Sequence, residues 1–403
     1  MMNASKVRLA IVLLLITGFT INVSAQDQQE PLATASNVGT DKETKSDESK
    51  PDDDQYYDSK PERFTYSLIG NINYNDIVQD LNKQNVRGEF DFYKFAAKSS
   101  YYISESWSVT SKVVVEHLLH PGYNSGDVYV QDFYAKFKQS KKFAIQAGLV
   151  SLPISGGKYG VYGSVMLAPV EKYLSYSWRE AGIGFSGTFK NNVSYRATLT
   201  TGLDPSELYS KTGIFTARNH KFFESTRNVA SAIQLVFDNK YDVRFGFSAL
   251  YSGLNNSGVT SETFDGSSYN FVEVFGAYKF GYFGTRAVGS YSTVSNVESI
   301  NEYFHHKVGS AQAGGLFELS YDFSRFLNDD NQKFHTVFRS EYYDTQYRTV
   351  DVTDDSKYEH YDYTLGIVYQ PVDFIELKAD YQIQRFGDKY SSQMFDLSFG
   401  FHF

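Results

Sequence analysis

The chain has no cysteine in its 403 residues. That absence excludes disulfides, thiolate metal centres and a lipoprotein anchored through an N-terminal cysteine. Long hydrophobic runs are missing too, because the apolar stretch at 9–19 is too short for a membrane-spanning helix, which needs roughly 20 such residues. No G-x-S-x-G, H-E-x-x-H or phosphate-cradling glycine loop occurs, although the chain holds 30 glycines. No catalytic residue, cofactor or enzymatic activity is therefore expected. His117 and His120 are spaced H-x-x-H, and His305 and His306 are adjacent. Neither pair has a third ligand at a defined position, so no metal site is expected.

What is present begins with an address. Lys6 and Arg8 precede the apolar run, and Val23-Ser24-Ala25 supplies small residues for cleavage, so residues 1–25 are expected to be a signal peptide. Residues 26–62 carry eleven acidic and four basic side chains, a net charge of −7. A segment so polar buries too little apolar surface to offset the entropy of ordering, and an acidic disordered tail is expected. Its charge argues against nucleic acid as a partner. The remainder, 63–403, is close to balanced.

Mean hydropathy is −0.39 and would suit a soluble protein. The chain nevertheless contains 33 Tyr and 33 Phe. An average says little when apolar and polar residues alternate along strands and cancel, so the period is the better guide. Tyr241, Val243, Phe245, Phe247, Ala249 and Tyr251 alternate with Asp242, Arg244, Gly246 and Ser248. Ile375, Leu377, Ala379, Tyr381 and Ile383 alternate with Glu376, Lys378, Asp380, Gln382 and Gln384, a second face too charged for a dry core. Further strands are expected over 64–73, 88–103, 107–118, 128–138, 143–150, 181–190, 193–200, 229–237, 271–280, 283–291, 315–323, 334–343 and 361–369, with the phase of 88–103 unclear. In all there are about sixteen, an even number.

The connectors alternate in length. Links at 104–106, 140–142, 191–192, 238–240, 281–282 and 370–373 are short, whereas 153–180, 203–228, 253–270, 292–313 and 348–360 are long. The link at 324–333 is longer than its neighbours and leaves a strand boundary there in doubt. The last ten residues place Phe395, Leu397, Phe399, Phe401 and Phe403 on one face, and Asp396, Ser398, Gly400 and His402 on the other. This resembles the closing strand of bacterial outer-membrane barrels, whose terminal aromatic is part of the signal read by the insertion machinery. Signal peptide, alternation and loop asymmetry together point to an all-β fold: a transmembrane antiparallel up-and-down β-barrel over 63–403, with short periplasmic turns and long extracellular loops. A soluble β-sandwich shares the strand spacing but needs none of these together.

Several basic residues are expected to face the lumen. Arg196, Arg244 and Arg286 each lie three residues past a strand start, as does Lys378, and Arg339 lies five past one. Similar offsets on strands running the same way imply similar depth, so these residues could form a cationic band that concentrates anions in a low-dielectric pore. Pairing with Glu273, Glu318 and Asp322 on intervening strands would satisfy the same side chains without any selectivity. The link 153–180 is the candidate for a loop folded into the pore: Gly156, Gly157, Gly160 and Gly163 allow tight folding, and Lys158, Lys172, Tyr159, Tyr162 and Tyr173 could line a constriction. The next long loop adds Lys211, Arg218, Lys221 and Arg227.

The run Ala147-Gly148-Leu149 through Pro153, followed by Trp178-Arg179-Glu180-Ala181-Gly182-Ile183-Gly184-Phe185-Ser186-Gly187, resembles the phosphate-selective porin O and P family and its relatives. The resemblance implies a trimeric porin with an inward third loop. It does not fix phosphate as the solute, because that loop lacks a dense lysine cluster. The expected function is a water-filled outer-membrane channel for passive diffusion of small hydrophilic solutes, with a modest preference for anions. Its expected partners are outer-membrane lipid, the solutes, the insertion machinery and two further copies of the chain. A transporter barrel for hydrophobic compounds and a closed structural or adhesive barrel are the competing readings. The polar tail before Phe64 makes a poor hatch for the former.

Overall fold

The computed structural model describes residues 63–80, 88–117, 126–154, 171–172, 174, 178–189, 192–218, 228–238, 243–255, 266–327, 331–388 and 390–403. The signal peptide, the acidic tail, His120, Lys158 and most of the 153–180 link lie outside these residues, as do Lys221 and Arg227.

Sixteen strands follow the alternation. They are β1 (Phe64–Asp80), β2 (Glu89–Tyr102), β3 (Trp107–Glu116), β4 (Asp127–Ser140), β5 (Phe143–Ser151), β6 (Arg179–Thr188), β7 (Val193–Thr201) and β8 (Val229–Asp238). They continue with β9 (Val243–Gly253), β10 (Ser268–Phe280), β11 (Phe283–Ser295), β12 (Ala311–Asp322), β13 (Lys333–Arg348), β14 (Glu359–Val372), β15 (Ile375–Phe386) and β16 (Ser391–His402). Each strand pairs antiparallel with its chain neighbours, and β1 pairs with β16, which closes the barrel. Closure leaves no sheet edge, so every strand's backbone groups are paired within the wall, as a hydrocarbon environment demands. A short helix, α1 (Val297–Phe304), sits in the connection between β11 and β12.

Alternation decides which side chains enter the barrel. On β16, Asp396, Ser398 and Gly400 point inward and are buried, while Phe395, Leu397, Phe399 and Phe401 point outward. On β15 the inward set is Glu376, Lys378, Asp380 and Gln382. Outward residues such as Tyr66, Phe245, Val274 and Leu365 are exposed around the circumference. An apolar exterior around an interior that carries many charged and amide side chains is the inverse of a soluble barrel, and lipid is the solvent that suits it.

The unclear phase of β2 has a local cause. Asn73 pairs with Asp91 but Asn71 pairs with Lys94, so β2 carries one extra residue there. This bulge turns both Asp91 and Lys94 inward and shifts the alternation by one. A second bulge between β3 and β4 likewise buries both Gln131 and Asp132.

The two ends differ as the connector lengths foretell. The turn end carries the links at 103–106, 141–142, 189–192, 281–282 and 373–374, and the loop end carries the long ones. The link at 323–332 belongs to the turn end and its boundaries hold. There Asp322 accepts a hydrogen bond from the Ser324 amide, and the Ser324 hydroxyl accepts one from the Phe334 amide. Arg325 lies 4.3 Å over the Tyr282 ring and 4.6 Å over Phe326, so cation–π contacts fold the longer turn back onto the wall.

Candidate functional site

The lumen is the candidate site, and its wall differs from side to side. From β13 through β16 to β3 the inward positions are mostly polar, including Glu341, Asp362, Thr364, Gln382, Asp380, Asp396, Ser398, Asn71, Asn73 and Lys112. From β8 to β12 the inward positions include Ala230, Ala232, Val236, Leu250, Tyr269, Phe271, Phe275, Val288, Val294 and Leu316, all buried. Loop-end segments cover this apolar side. Leu203, Leu208, Ile214 and Ala217, from the link between β7 and β8, pack with Val297 and Ile300 of α1, with Val308, and with Leu152, Ile154 and Trp178. Hydrogen bonds tie the layer together: Ser210 donates to the Lys307 carbonyl, Thr345 donates to the Ser210 carbonyl, and Asn301 bonds both backbone groups of Val308.

The described residues of the third long loop include Glu171, Lys172 and Leu174, which dock on the same side of the lumen. Leu174 packs against Val236, Phe275, Val288, Leu316 and Tyr343, which are inward residues of five strands. Glu171 receives two charge-assisted hydrogen bonds from Arg286, the shorter at 2.7 Å, while Arg286 also reaches Glu318 at 3.2 Å. Arg339 continues the chain, at 2.6 Å from Glu341 and 3.8 Å from Glu318. Asp362 stands directly across the strands from Glu341 and is fully buried. Two guanidinium groups, 2% and 0% exposed, thus bind three glutamates, one of which comes from the loop. Breaking such a desolvated pair from one side costs about 3–5 kcal/mol.

The candidate basic residues therefore divide. Arg244, Arg286 and Arg339 lie on one register row that runs Arg244, Ala277, Arg286, Glu318, Arg339, Thr364, Gln382. Arg244 reaches Asp238 at 3.5 Å. Arg196 lies on another row, with Gln234, Ser248 and Glu273, which crosses β10 four residues from Ala277. Lys378 is four residues from Gln382 along β15 and contacts Glu376 at 2.8 Å. Lys172, beside Glu171, holds its ammonium 5.2 Å from the Phe215 ring, whose centroid lies 4.1 Å from Arg218. Burial, and secondarily Arg218, pull the Lys172 amine below its ordinary range.

A second basic group lies on the turnward inner wall. Lys98 of β2 faces Lys112 of β3 directly. Lys136 and Lys138 follow on β4, and Lys138 shares a row with Ala144, Ser186 and Arg196. Lys136 is close enough to interact electrostatically with both Lys138 and Arg196. Asp132 stands directly across from Lys112, interacts with Lys98 and is held by Arg179 at 2.7 Å, so part of this charge is balanced within the wall. Lys136 and Lys138 share the polar phase of 128–138, a signal legible in the sequence but without the strand-start offset common to Arg196, Arg244, Arg286 and Lys378.

The quoted glycine run has a packing role. A Cβ at Gly182 would lie 2.2 Å from the Leu199 carbonyl, and one at Gly148 would lie 2.2 Å from the Phe133 carbonyl at a φ of +131°. Trp178 donates to Glu180 at 2.8 Å, and Glu180 also accepts from Thr201, which fixes the loop's return into β6. The histidines serve locally: His117 contacts Asp91 at 2.6 Å, and the His306 ring lies 4.3 Å from that of Tyr209.

No family model matches the chain. It is 23% identical over 326 residues to an uncharacterised protein of Aquifex aeolicus (strain VF5), covering 73% of this chain and 70% of the relative. Among solved structures, the chain resembles the anion-selective porin from Comamonas acidovorans with a TM-score of 0.57 at 9% identity, over 84% of this chain and 99% of that one. It also resembles the trimer form of OmpT, an outer membrane protein of Vibrio cholerae, with a TM-score of 0.54 at 10% identity over 84% and 99% of the two chains. The outer membrane channel DcaP of Acinetobacter baumannii gives 0.54 at 11% identity over 84% and 97%. At these identities the likeness is one of fold: a sixteen-stranded porin-like barrel.

Proposed function

We propose that the protein is a porin of the bacterial outer membrane, a water-filled, non-enzymatic channel through which small hydrophilic solutes diffuse. The observation that carries this reading is the polar inner wall from β13 through β16 to β3, lined by charged and amide side chains inside an apolar exterior. Such a wall is costly to dehydrate and is suited to replacing part of a solute's hydration. The apolar side is filled by its own side chains, which speaks against a route for hydrophobic compounds.

The same reading gives the lumen a modest anion preference. Lys98, Lys112, Lys136, Lys138 and Arg196 would raise anion concentration at the turnward mouth, with Arg244 and Lys378 lining the lumen nearby. Arg286 and Arg339 act as the anchor of the third loop, Lys172 is its described cation at the lumen, and Lys158, outside the described residues, is a further candidate of the same loop. Whether phosphate is favoured among anions, as the likeness to the O and P family suggests, turns on this lining. A homotrimer is the proposed assembly, by analogy with porin barrels of this fold. The outward face of β16 is the proposed contact with the insertion machinery.

Planar-bilayer recording tests the reading. Ohmic single-channel current with a reversal potential displaced toward chloride is expected. An absence of current contradicts the channel, and a cation-selective reversal potential contradicts the anion preference alone.

A further inference from the structure

We propose that the hairpin turn between β4 and β5 is a binding site for an anionic phospholipid of the periplasmic leaflet, with the headgroup phosphate against Lys141 and Lys142 and an acyl chain along the outer wall beside them. The proposal rests on the outer-membrane reading above and gives that membrane contact a place and a lipid class.

Three observations converge. The first is charge. Lys141 and Lys142 form the two-residue turn, and both are exposed. Neither ammonium is in an ion pair among the described residues, although Glu105 stands in the adjoining turn. Elsewhere at this end Lys333 contacts Asp373 at 2.9 Å, and Arg325 stacks on Tyr282 and donates to the Tyr321 hydroxyl. Two adjacent like charges set up a positive potential that a phosphate relieves. Attraction to an anionic leaflet is worth about fivefold in affinity for each lysine near the surface.

The second observation is depth. Outward rings flank the turn on both sides: Trp107 lies 4.9 Å from Phe137, Phe143 lies 6.3 Å from Phe185, and Phe189 lies 4.9 Å from Tyr195. Such rings mark the headgroup level of a membrane barrel, so the two ammoniums stand at the height of lipid phosphate. That height selects a lipid over a soluble anionic partner.

The third observation is that the site is already formed. The Lys141 carbonyl accepts from the Thr188 amide at 3.0 Å, the Lys142 carbonyl from the Tyr195 hydroxyl at 3.1 Å, and the Lys142 amide donates to the Ser140 hydroxyl at 3.2 Å. The turn is thereby pinned to the hairpin of β6 and β7, and only two side chains lose freedom when a headgroup binds. About 17 Å along β4 from its end, Ala135 and Ala147 pair directly and are exposed between Val109 and Ile183. Their methyl groups leave the wall low between larger neighbours, which seats an acyl chain that passes Phe137 and Ile145.

Trp107 supplies the reporter, because the chain's other tryptophan, Trp178, is 5% exposed and packs inside the barrel. In phosphatidylcholine vesicles at 0.1 M salt, a fixed fraction of brominated phosphatidylglycerol is expected to quench Trp107 severalfold more strongly than the same fraction of brominated phosphatidylcholine. The difference should shrink at 1 M, as the Debye length falls from about 10 Å to about 3 Å. Lys141→Gln/Lys142→Gln is expected to abolish the difference while quenching by both lipids persists, and Lys333→Gln, on the far side of the barrel, to leave it unchanged. Equal quenching by the two lipids in the parent overturns the site, as does a preference that survives Lys141→Gln/Lys142→Gln. A preference lost equally in Lys333→Gln belongs to a diffuse surface field and also overturns it. Quenching by neither lipid overturns the site together with the outer-membrane reading on which it rests.

Discussion

The inner faces of β8–β12 and of β13–β16 are built on the same backbone alternation and differ in how much apolar surface they carry. On β10, Tyr269, Phe271 and Phe275 point inward with Glu273 among them, while Val272, Val274 and Tyr278 point outward, so the inner face is largely apolar as well. On β15 the inward face is Glu376, Lys378, Asp380 and Gln382. A period of two assigns residues to faces but does not say which face is wet. The apolar inner wall exists because the loops that follow β5, β7 and β11 fold back to cover it. The polar wall is what remains for solute.

The largest expected effect of breaking this division comes from Arg286→Ala. It would leave Glu171 and Glu318 buried without their partner, costing about 3–5 kcal/mol and releasing the third loop. Urea unfolding would record the loss, and proteolysis within 152–178 should quicken. Phe271→Ala should cost about 3–5 kcal/mol through the cavity it leaves, and Leu174→Ala about 2–5 kcal/mol. On the polar wall, Asn71→Ala removes a 3.1 Å hydrogen bond to Ser398 and should cost only about 1 kcal/mol. Similar losses on both walls would erase the distinction between them.

Selectivity should respond in the reverse order. Lys98→Gln, Lys136→Gln and Lys138→Gln together should move the reversal potential away from chloride with little change in stability, whereas Phe271→Ala should leave it unmoved. A triple variant with an unaltered reversal potential would count against the turnward strip. Replacing Arg196, Arg244 and Arg286 with Ala asks the same of the arginines, and here the account expects the shift to come chiefly from Arg196.

The smallest effect is one of pH. Burial, and secondarily His305, hold the His306 imidazole below its ordinary value near 6.5, so the folded loop layer takes up fewer protons than the unfolded chain. The docking of 203–217 on α1 is therefore at full strength above about pH 6.5 and weakens as pH falls through that value. Protection factors of 203–217, corrected for the intrinsic pH dependence of exchange, should fall between pH 7 and 5 in the parent and stay flat in His306→Gln. An equal fall in both would discard this role.

Much of the fold was legible because each strand carries its own evidence. Alternation placed all sixteen strands, and connector length separated the two ends. Strand limits erred mainly at the loop end, where β13 continues through Arg348 beyond the expected 343 and β11 runs on to Ser295. There the wall rises above the apolar band and the pattern fades into polar residues. The interior was less legible. Arg286 and Arg339 read as inward cations, yet their burial depends on Glu171, more than a hundred residues from Arg286 in the chain. Pairing at that separation leaves no local trace. The apolar wall did leave one, since β10 is largely hydrophobic on both faces, and a strand between lipid and water has no use for Phe271 and Phe275 unless something covers them.

The most direct test of the division between the walls uses the absence of cysteine. Gln384→Cys, a half-buried inward position on the polar wall, and Phe275→Cys beneath Leu174 can each be exposed, in a conducting bilayer, to a small charged thiol reagent while current is recorded. Rapid modification and a stepwise fall in current are expected at Gln384→Cys, with none at Phe275→Cys. Equal modification at both positions, or at Phe275→Cys alone, would contradict it.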